Sequence, residues 1–489
     1  MRVHLVGVSG SGMGALAMLF REAGHEVTGS DMVFEPPVGP ALEAAGVVCL
    51  RGYDVSHLVR PPDLVVVGNA IRRENVEVKR AEELGLARMS MSGALRDHFL
   101  RGRRPLIVCG THGKTTTASL AAWLLSSVGA EPGFFIGGVP KNFGRGARIG
   151  RAGKKLASSG SLPVLGTSPF VVEGDEYDAV FWHKKPKFLD YVGVGADDVV
   201  ILTSVEHDHI DIYPDEATYV AQFEELVARI PPGGMLIADA RDPRGRAVAR
   251  RARCRIAFYA LEGDDTGEVV PTWLGAPIPI DSRGIQSFDA YVGGTSAGRF
   301  AMKIPGVHNV RNALAVLAAC AECFGAGFRT LRTGLSSFEG VRRRQDLLGE
   351  PNGVRVYDDF AHHPTAVEET LRALRAKHPE GRLFAVFEPR SATACRALHQ
   401  NDYPKAFASA DRVVLAPLGR TNVPEGERLD TARLVSDIGD RAIRAESVEA
   451  IVELLVREAR PGDTLALLSN GAFGGIYTKL IHALQEPRA

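Results

Sequence analysis

Ten residues, Val108-Cys109-Gly110-Thr111-His112-Gly113-Lys114-Thr115-Thr116-Thr117, constrain this chain more than any other stretch. The apolar run Pro105-Leu106-Ile107-Val108 leading into them reads as a buried strand, and Ala118 to Ser126 beyond them has helical periodicity. Between a strand and a helix start, Gly-Lys-Thr means phosphate. The glycines let backbone N–H groups wrap an anion, and the helix N-terminus adds partial positive charge. Gly110, Thr111 and Gly113 then form the nucleotide-binding turn, Lys114 reaches the terminal phosphates, the Thr115 hydroxyl ligates Mg²⁺, and Thr116 in the first helical turn completes the nucleotide-binding set. Val108 stands where the usual Gly-x-x-x-x-Gly-Lys-Ser/Thr spacing has its first glycine, and Gly110 is the nearest substitute. The chain is expected to bind a nucleoside triphosphate.

Such a loop implies an α/β domain, and 489 residues are too many for one core, so length suggests about three domains. Lys+Arg and Asp+Glu are both 58, which gives no support for a nucleic-acid or anionic-membrane partner. No apolar run reaches membrane-spanning length, and Met1-Arg2-Val3-His4-Leu5 enters a strand without the form of a signal peptide. Six scattered cysteines suit a reducing cytoplasm, where the chain is expected to reside. Cys320 and Cys323 form a Cys-x-x-Cys pair, but in an alanine-rich helical stretch with no second pair; core packing is the expectation.

Val3 to Val8 reads as a strand, and Gly7-Val8-Ser9-Gly10-Ser11-Gly12-Met13-Gly14 opens a helix running to about Ala23. A second strand, His25 to Gly29, ends at Ser30-Asp31. The pattern is close to a dinucleotide fingerprint, and alone it would suggest a NAD-dependent oxidoreductase. Such turns bind any pyrophosphate, so a diphosphate is specified before NAD is. Asp31 reads equally as a binding residue or a turn residue. The strand Leu64 to Val67 ends at Gly68-Asn69-Ala70-Ile71, a position where open α/β sheets hold ligands. Met89 to Arg104 is polar and basic, and Arg101-Gly102-Arg103-Arg104-Pro105 reads as a linker that marks the first boundary.

Downstream, Gly150 to Ser168 reads as loops around weak strands. Phe170-Val171-Val172 runs into Glu173-Gly174-Asp175-Glu176-Tyr177-Asp178, and Val199 to Thr203 into Ser204-Val205-Glu206-His207-Asp208-His209-Ile210-Asp211. Carboxylates at two buried strand ends beside a triphosphate loop suit a hard cation. In His308-Asn309-Val310-Arg311-Asn312, ahead of the helix Leu314 to Phe324, Asn309 and Asn312 share a helical face. They could read a purine edge, with an N-cap role for Asn309 as the alternative. Beyond Gly340, strands at Val354–Tyr357, Leu383–Phe387, Arg412–Leu415 and Thr464–Leu468 alternate with helices at Thr365–Lys377 and Val448–Glu458, the pattern of a covered parallel sheet. Arg342-Arg343-Arg344 at the junction reads as a phosphate contact or a solvated linker.

Several of these motifs resemble signatures of the Mur ligases of peptidoglycan synthesis and recycling: Gly110-Thr111-His112-Gly113-Lys114-Thr115-Thr116, Glu173-Gly174-Asp175-Glu176, His308-Asn309-Val310-Arg311-Asn312 and Asp359-Phe360-Ala361-His362-His363-Pro364. The match covers essentially the whole chain. Glu173 to Asp178 and Phe387-Glu388-Pro389-Arg390-Ser391 most resemble the branch that ligates a recovered murein tripeptide; the branch that attaches L-alanine usually has Glu-Ala-Asp-Glu-Ser-Asp and Gln-Pro-His there. The resemblance implies three α/β domains: a Rossmann-like UDP-sugar domain (1–103), a central P-loop ATPase domain (104–339) and a Rossmann-like C-terminal domain contacting peptide and nucleotide (340–489). It also implies ATP and Mg²⁺, with UDP-N-acetylmuramate and L-alanyl-γ-D-glutamyl-meso-diaminopimelate as substrates.

Carried over by residue, the resemblance gives Gly10, Gly12, Asp31 and Asn69 to the UDP moiety and Lys114 to the phosphates. Thr115 and Glu173 go to one Mg²⁺ and His209 to a second, Asn309 and Asn312 to adenine, and Arg344 and Asp359 toward phosphates and ribose. Several Mur ligases carry a carbamylated lysine about fifteen residues past the metal-binding histidine; Glu224 stands there. Arg390 is a candidate for a peptide carboxylate or an interdomain salt bridge. His362 and His363 are candidate proton acceptors for the amine, or interface residues. The sequence leaves the oligomeric state open.

Overall fold

The computed structural model describes residues 1–36, 38–151, 168–420 and 422–486, so most of the Gly150–Ser168 stretch lies outside the described residues. Its helices and strands form three sheet-centred units in chain order. The first is a five-stranded parallel sheet in the order Val48–Arg51, Glu26–Asp31, Arg2–Val6, Leu64–Val67, Arg88–Ser90. The order reverses on either side of Arg2–Val6. That reversal opens a crevice at its carboxyl end, between Gly7 and Gly68.

The second unit is a ten-stranded sheet. Its strand Arg104–Cys109 lies between Val199–Leu202 and Pro169–Glu173, all parallel. These strands are continuous apolar runs because both sheet faces are covered. Antiparallel strands Trp273–Ile278, Gln286–Val292 and Thr295–Met302 extend one edge. Helices Lys114–Ser127 and Val307–Phe324 pack together on one face, where Cys320 and Cys323 are buried free thiols. Burial pushes both thiols up, Cys323 to about 12. The other face merges with the core of the first unit: Met91, Ala94 and Phe99 belong to the same buried cluster as Phe135, Phe170 and Phe188.

The third unit is a six-stranded sheet, parallel except for the edge strand Asp346–Gly349, with apolar clusters on both faces. Its central strand Thr464–Leu468 lies between Arg355–Asp359 and Leu383–Phe387. Asp359, Glu388 and Ser469 therefore gather at one end.

The basic stretch after Met89 differs from its reading as polar connection. Met91–Leu95 and Arg96–Leu100 are helical, because Met91, Ala94, Leu95, Phe99 and Leu100 form a buried stripe between the charges. No helix among the described residues is long and apolar enough to cross a membrane.

Candidate active site

Strand order brings the loop-borne motifs together. The phosphate loop leaves Arg104–Cys109 flanked by the strands that deliver Glu173 on one side and Ser204 to His209 on the other. Gly110 has φ +125°, and a Cβ there would meet Thr203 Oγ1 at 2.3 Å. Gly113 has φ +79°, and its Cβ would meet Asn312 Oδ1 at 2.6 Å. Both positions thus need glycine for conformation and for space. The helix begins at Lys114, with its first N–H groups open toward the loop.

Lys114 Nζ donates to Gly110 O (2.7 Å), Thr111 O (3.1 Å) and Glu176 Oε1 (2.7 Å). Burial pushes its pKa down, but Glu176, Glu173 and Asp175 outweigh that and hold it above the ordinary value. Thr115 Oγ1 donates to Glu173 Oε1 at 2.7 Å, and Glu173 Oε2 accepts from Gly137 N at 2.7 Å. A hydroxyl and a carboxylate side by side at a phosphate loop form the hard-oxygen donor set that suits Mg²⁺. Thr116 follows in the first helical turn, partly buried.

The loop Ser204 to Asp211 closes the opposite wall. His209 has φ +56°, its ring lies 4.5 Å from the Tyr177 ring, and its N–H donates to Asp208 Oδ1 at 2.7 Å. Glu224 lies away from any lysine role, in an ion pair with Arg251 at 3.5 Å.

The motif reading places Glu206 in the acidic cluster and His112 in the phosphate loop but does not pair them. Glu206 Oε2 meets His112 Nε2 at 2.6 Å, and both carboxylate oxygens accept from Thr365 Oγ1 of the third unit at 3.1 Å. Burial raises this carboxyl, but the His112 hydrogen bond and charge outweigh it and hold it at about 2. One ligand atom each of His112, Glu206 and His363 lies within 4.8 Å of the others. His112 already bonds Glu206, and His363 Nδ1 accepts from Thr365 N at 3.4 Å, so the trio reads as contact between units.

Asn309 and Asn312 lie within the helix Val307–Phe324, whose N-cap is Gly306 rather than Asn309. Asn309 Nδ2 donates to Pro305 O at 2.7 Å, and Asn312 Nδ2 to Asn309 Oδ1 at 3.3 Å. Since Asn312 also abuts Gly113, the pair sits directly against the phosphate loop.

The third unit supplies the roof. Arg344 reaches Thr115 Oγ1 at 3.4 Å and stacks on Phe360, 5.0 Å from its centroid. Of the other two arginines in that run, Arg343 is an internal clamp, donating to Asp358, Ser469 O and Gly471 O. Asp359 accepts from Gln345 N (2.7 Å) and Ala361 N (2.8 Å); burial raises its pKa. His362 is tied by Nδ1 to Phe360 O at 3.1 Å, and burial lowers its pKa. Burial and the neighbouring His112 charge push His363 down to about 3, which keeps it neutral. Thr393 Oγ1 donates to Asp208 Oδ1 at 2.7 Å, a second link between the units. Arg390 stands 3.8 Å from Glu388, half-exposed, with its stem against Gly419 and Gly471.

In the first unit, Gly10 is the N-cap of the helix Ser11–Glu22, and Gly12 packs where a Cβ would meet Met91 Sδ at 2.8 Å. Asp31 Oδ2 accepts from Ser9 N at 2.8 Å, and Asp31 Oδ1 from Met32 N at 2.8 Å and Tyr53 OH at 3.4 Å. Asp31 thus holds the glycine loop's backbone. Asn69 is exposed at the lip of a cleft of about 780 Å³ shared with Arg72, Arg88 and Trp182.

Three family models match in this order: "Mur ligase family, catalytic domain" over residues 2–103, "Mur ligase middle domain" over 186–320, and "Mur ligase, glutamate ligase domain" over 343–471. The UDP-N-acetylmuramate–L-alanyl-gamma-D-glutamyl-meso-2,6-diaminoheptandioate ligase of Escherichia coli K12 is 37% identical over 487 residues, 99% of each chain. The UDP-N-acetylmuramate–L-alanine ligase of a Roseiflexus species is 32% identical, over 99% of this chain and 100% of that one. Among solved structures, a murein peptide ligase from Psychrobacter arcticus superposes with TM-score 0.71 at 32% identity, over 100% of both chains. With strand order, phosphate loop and full-length likeness in agreement, this chain belongs to the Mur ligase family.

Proposed function

We propose that this chain is an ATP-dependent amide ligase that joins UDP-N-acetylmuramate to L-alanyl-γ-D-glutamyl-meso-diaminopimelate. The acceptor rests on one observation: full-length identity is 37% to a ligase named for this tripeptide, against 32% to one named for L-alanine. In this reading residues 1–103 hold the UDP-sugar, 104–339 the ATP, and 340–489 the peptide.

The chemistry must bring two anions together, since the muramyl carboxylate attacks the γ-phosphorus of ATP. The C–O–P linkage of an acyl phosphate forms, and the bond to ADP breaks. Lys114 supplies positive charge to the γ-phosphate; to do so it exchanges Glu176 for the nucleotide. Thr115 and Glu173 would hold one Mg²⁺ and His209 a second, and bound Mg²⁺ supplies further neutralisation of the phosphates. The peptide amine then attacks the acyl carbon, phosphate leaves, and the amine gives up its proton. Neutral His362 and His363 are the acceptors proposed for it. Asn309 and Asn312 face adenine, Arg344 and Asp359 the phosphates and ribose, and Arg390 a peptide carboxylate. The Thr365–Glu206 and Thr393–Asp208 contacts keep the third unit over the site, excluding water that would hydrolyse the acyl phosphate.

Phosphate release with ATP, Mg²⁺ and UDP-N-acetylmuramate, comparing the tripeptide with L-alanine, tests this. Turnover with the tripeptide and little with alanine is expected; preference for alanine would overturn the acceptor assignment.

A further inference from the structure

Beneath the crevice of the first unit lies a carboxylate that the mechanism does not use. Glu77, on the helix Val76–Glu83, is fully buried. Its Oε2 accepts from Ser30 Oγ and meets His4 Nε2 at 3.3 Å. Its Oε1 meets His57 Nδ1 and accepts from Asp54 N at 3.1 Å. Four groups, from two strands and from the short helical turn Val55–Leu58 with its cap Asp54, therefore converge on one side chain.

Two of these neighbours bracket the crevice. Ser30 precedes Asp31, and the Ser30 carbonyl accepts both Gly7 N (2.9 Å) and Val8 N (3.1 Å) of the glycine turn. Asp54 follows Tyr53, whose hydroxyl reaches Asp31. The Asp31–Tyr53 pair is thus held from behind on both sides by Glu77, and Asp31 in turn holds Ser9 N. A buried charge is costly, and an apolar residue in its place would leave Ser30 Oγ and Asp54 N without this acceptor.

We propose that Glu77 is a positioning residue for the nucleotide-sugar: it sets Ser30 and Asp54, and through them the glycine turn that receives the diphosphate. This rests on the UDP-sugar reading of residues 1–103.

The test is calorimetric titration of UDP-N-acetylmuramate into the full chain and its Glu77→Gln variant, with KM for ATP and kcat measured beside it. Gln keeps the shape but loses the charge that four donors share. The expected result is a Kd and KM for the nucleotide-sugar raised about tenfold or more, with KM for ATP and kcat within about twofold. Equal affinity in both proteins, or losses spread evenly over ATP and sugar, would overturn the positioning role. No binding to the unsubstituted chain would instead overturn the UDP-sugar reading. If Glu77→Gln does not fold, Ser30→Ala removes one of the four donors and leaves the carboxylate and its other three partners in place. It is expected to raise KM for the sugar alone, and an unchanged KM there would equally overturn the proposal.

Discussion

The Lys114–Glu176 pair makes the cost of disabling the phosphate loop calculable. Glu176 is 2% exposed, and its carboxylate accepts from Lys114 Nζ at 2.7 Å and Tyr219 OH at 3.2 Å. Lys114→Met keeps the volume of the stem and deletes the cation, leaving the carboxylate buried with one neutral donor. Breaking a buried pair from one side costs about 3–5 kcal/mol. For a unit of about 200 residues, each kcal/mol moves the midpoint by about 2–4 °C, so the central unit should melt about 6–20 °C lower. Adding Glu176→Gln removes the stranded charge and should recover most of that loss. ATP turnover should be absent in both proteins, because neither carries the ammonium. Thermal unfolding of the two variants beside phosphate release separates the stability effect from the catalytic one. Glu176→Gln alone, with Lys114 no longer held by a carboxylate, should bind a non-hydrolysable ATP analogue more tightly. If the double variant melts as low as Lys114→Met, or if Lys114→Met loses nothing, the pairing argument is wrong.

Glu173→Ala or His209→Ala should raise the Mg²⁺ concentration needed for half-maximal turnover, and an unchanged Mg²⁺ titration would contradict their proposed role. Arg390→Ala should weaken use of the tripeptide more than use of ATP; equal losses in both KM values would remove its assignment to a carboxylate. Glu206 has a folded pKa near 2 against an ordinary 4.5, so its stabilising contribution is complete above 4.5 and is lost as pH falls from there toward 2. Glu206→Gln should therefore flatten the acid limb of thermal stability, and an unaltered limb would refute the contact's role. Gly113→Ala should cost ATP affinity at least tenfold, since the new methyl meets Asn312; unchanged affinity would show the loop free to shift.

Buried parallel strands were readable because their local signal is their tertiary environment: an unbroken apolar run between turn residues. Leu64–Val67, Leu383–Phe387, Arg412–Leu415 and Thr464–Leu468 form at the residues that the runs define. The hairpins between Trp273 and Met302 carry no such run and drew no expectation. Met89 to Leu100 misled because its charges are conspicuous while its apolar stripe needs the helical period to be seen. Motifs gave the loop, Thr115 and Glu173, but not the contacts that cross the sequence. His112 and Glu206 are 94 residues apart, and Thr365 lies 159 beyond Glu206. Glu77 sits in an ordinary polar helix, where nothing local distinguishes it from Glu82 or Glu83.

The left-handed backbone at His209 has a consequence for improving this enzyme as a material. A non-glycine residue at φ +56° carries about 1 kcal/mol or more of conformational strain, held there by its neighbours. Selection for heat resistance alone should therefore favour His209→Gly or His209→Asn, which relax the chain and remove the imidazole from the site. A thermostability screen run without a turnover screen would enrich robust proteins that lack the imidazole proposed for Mg²⁺ at this one codon.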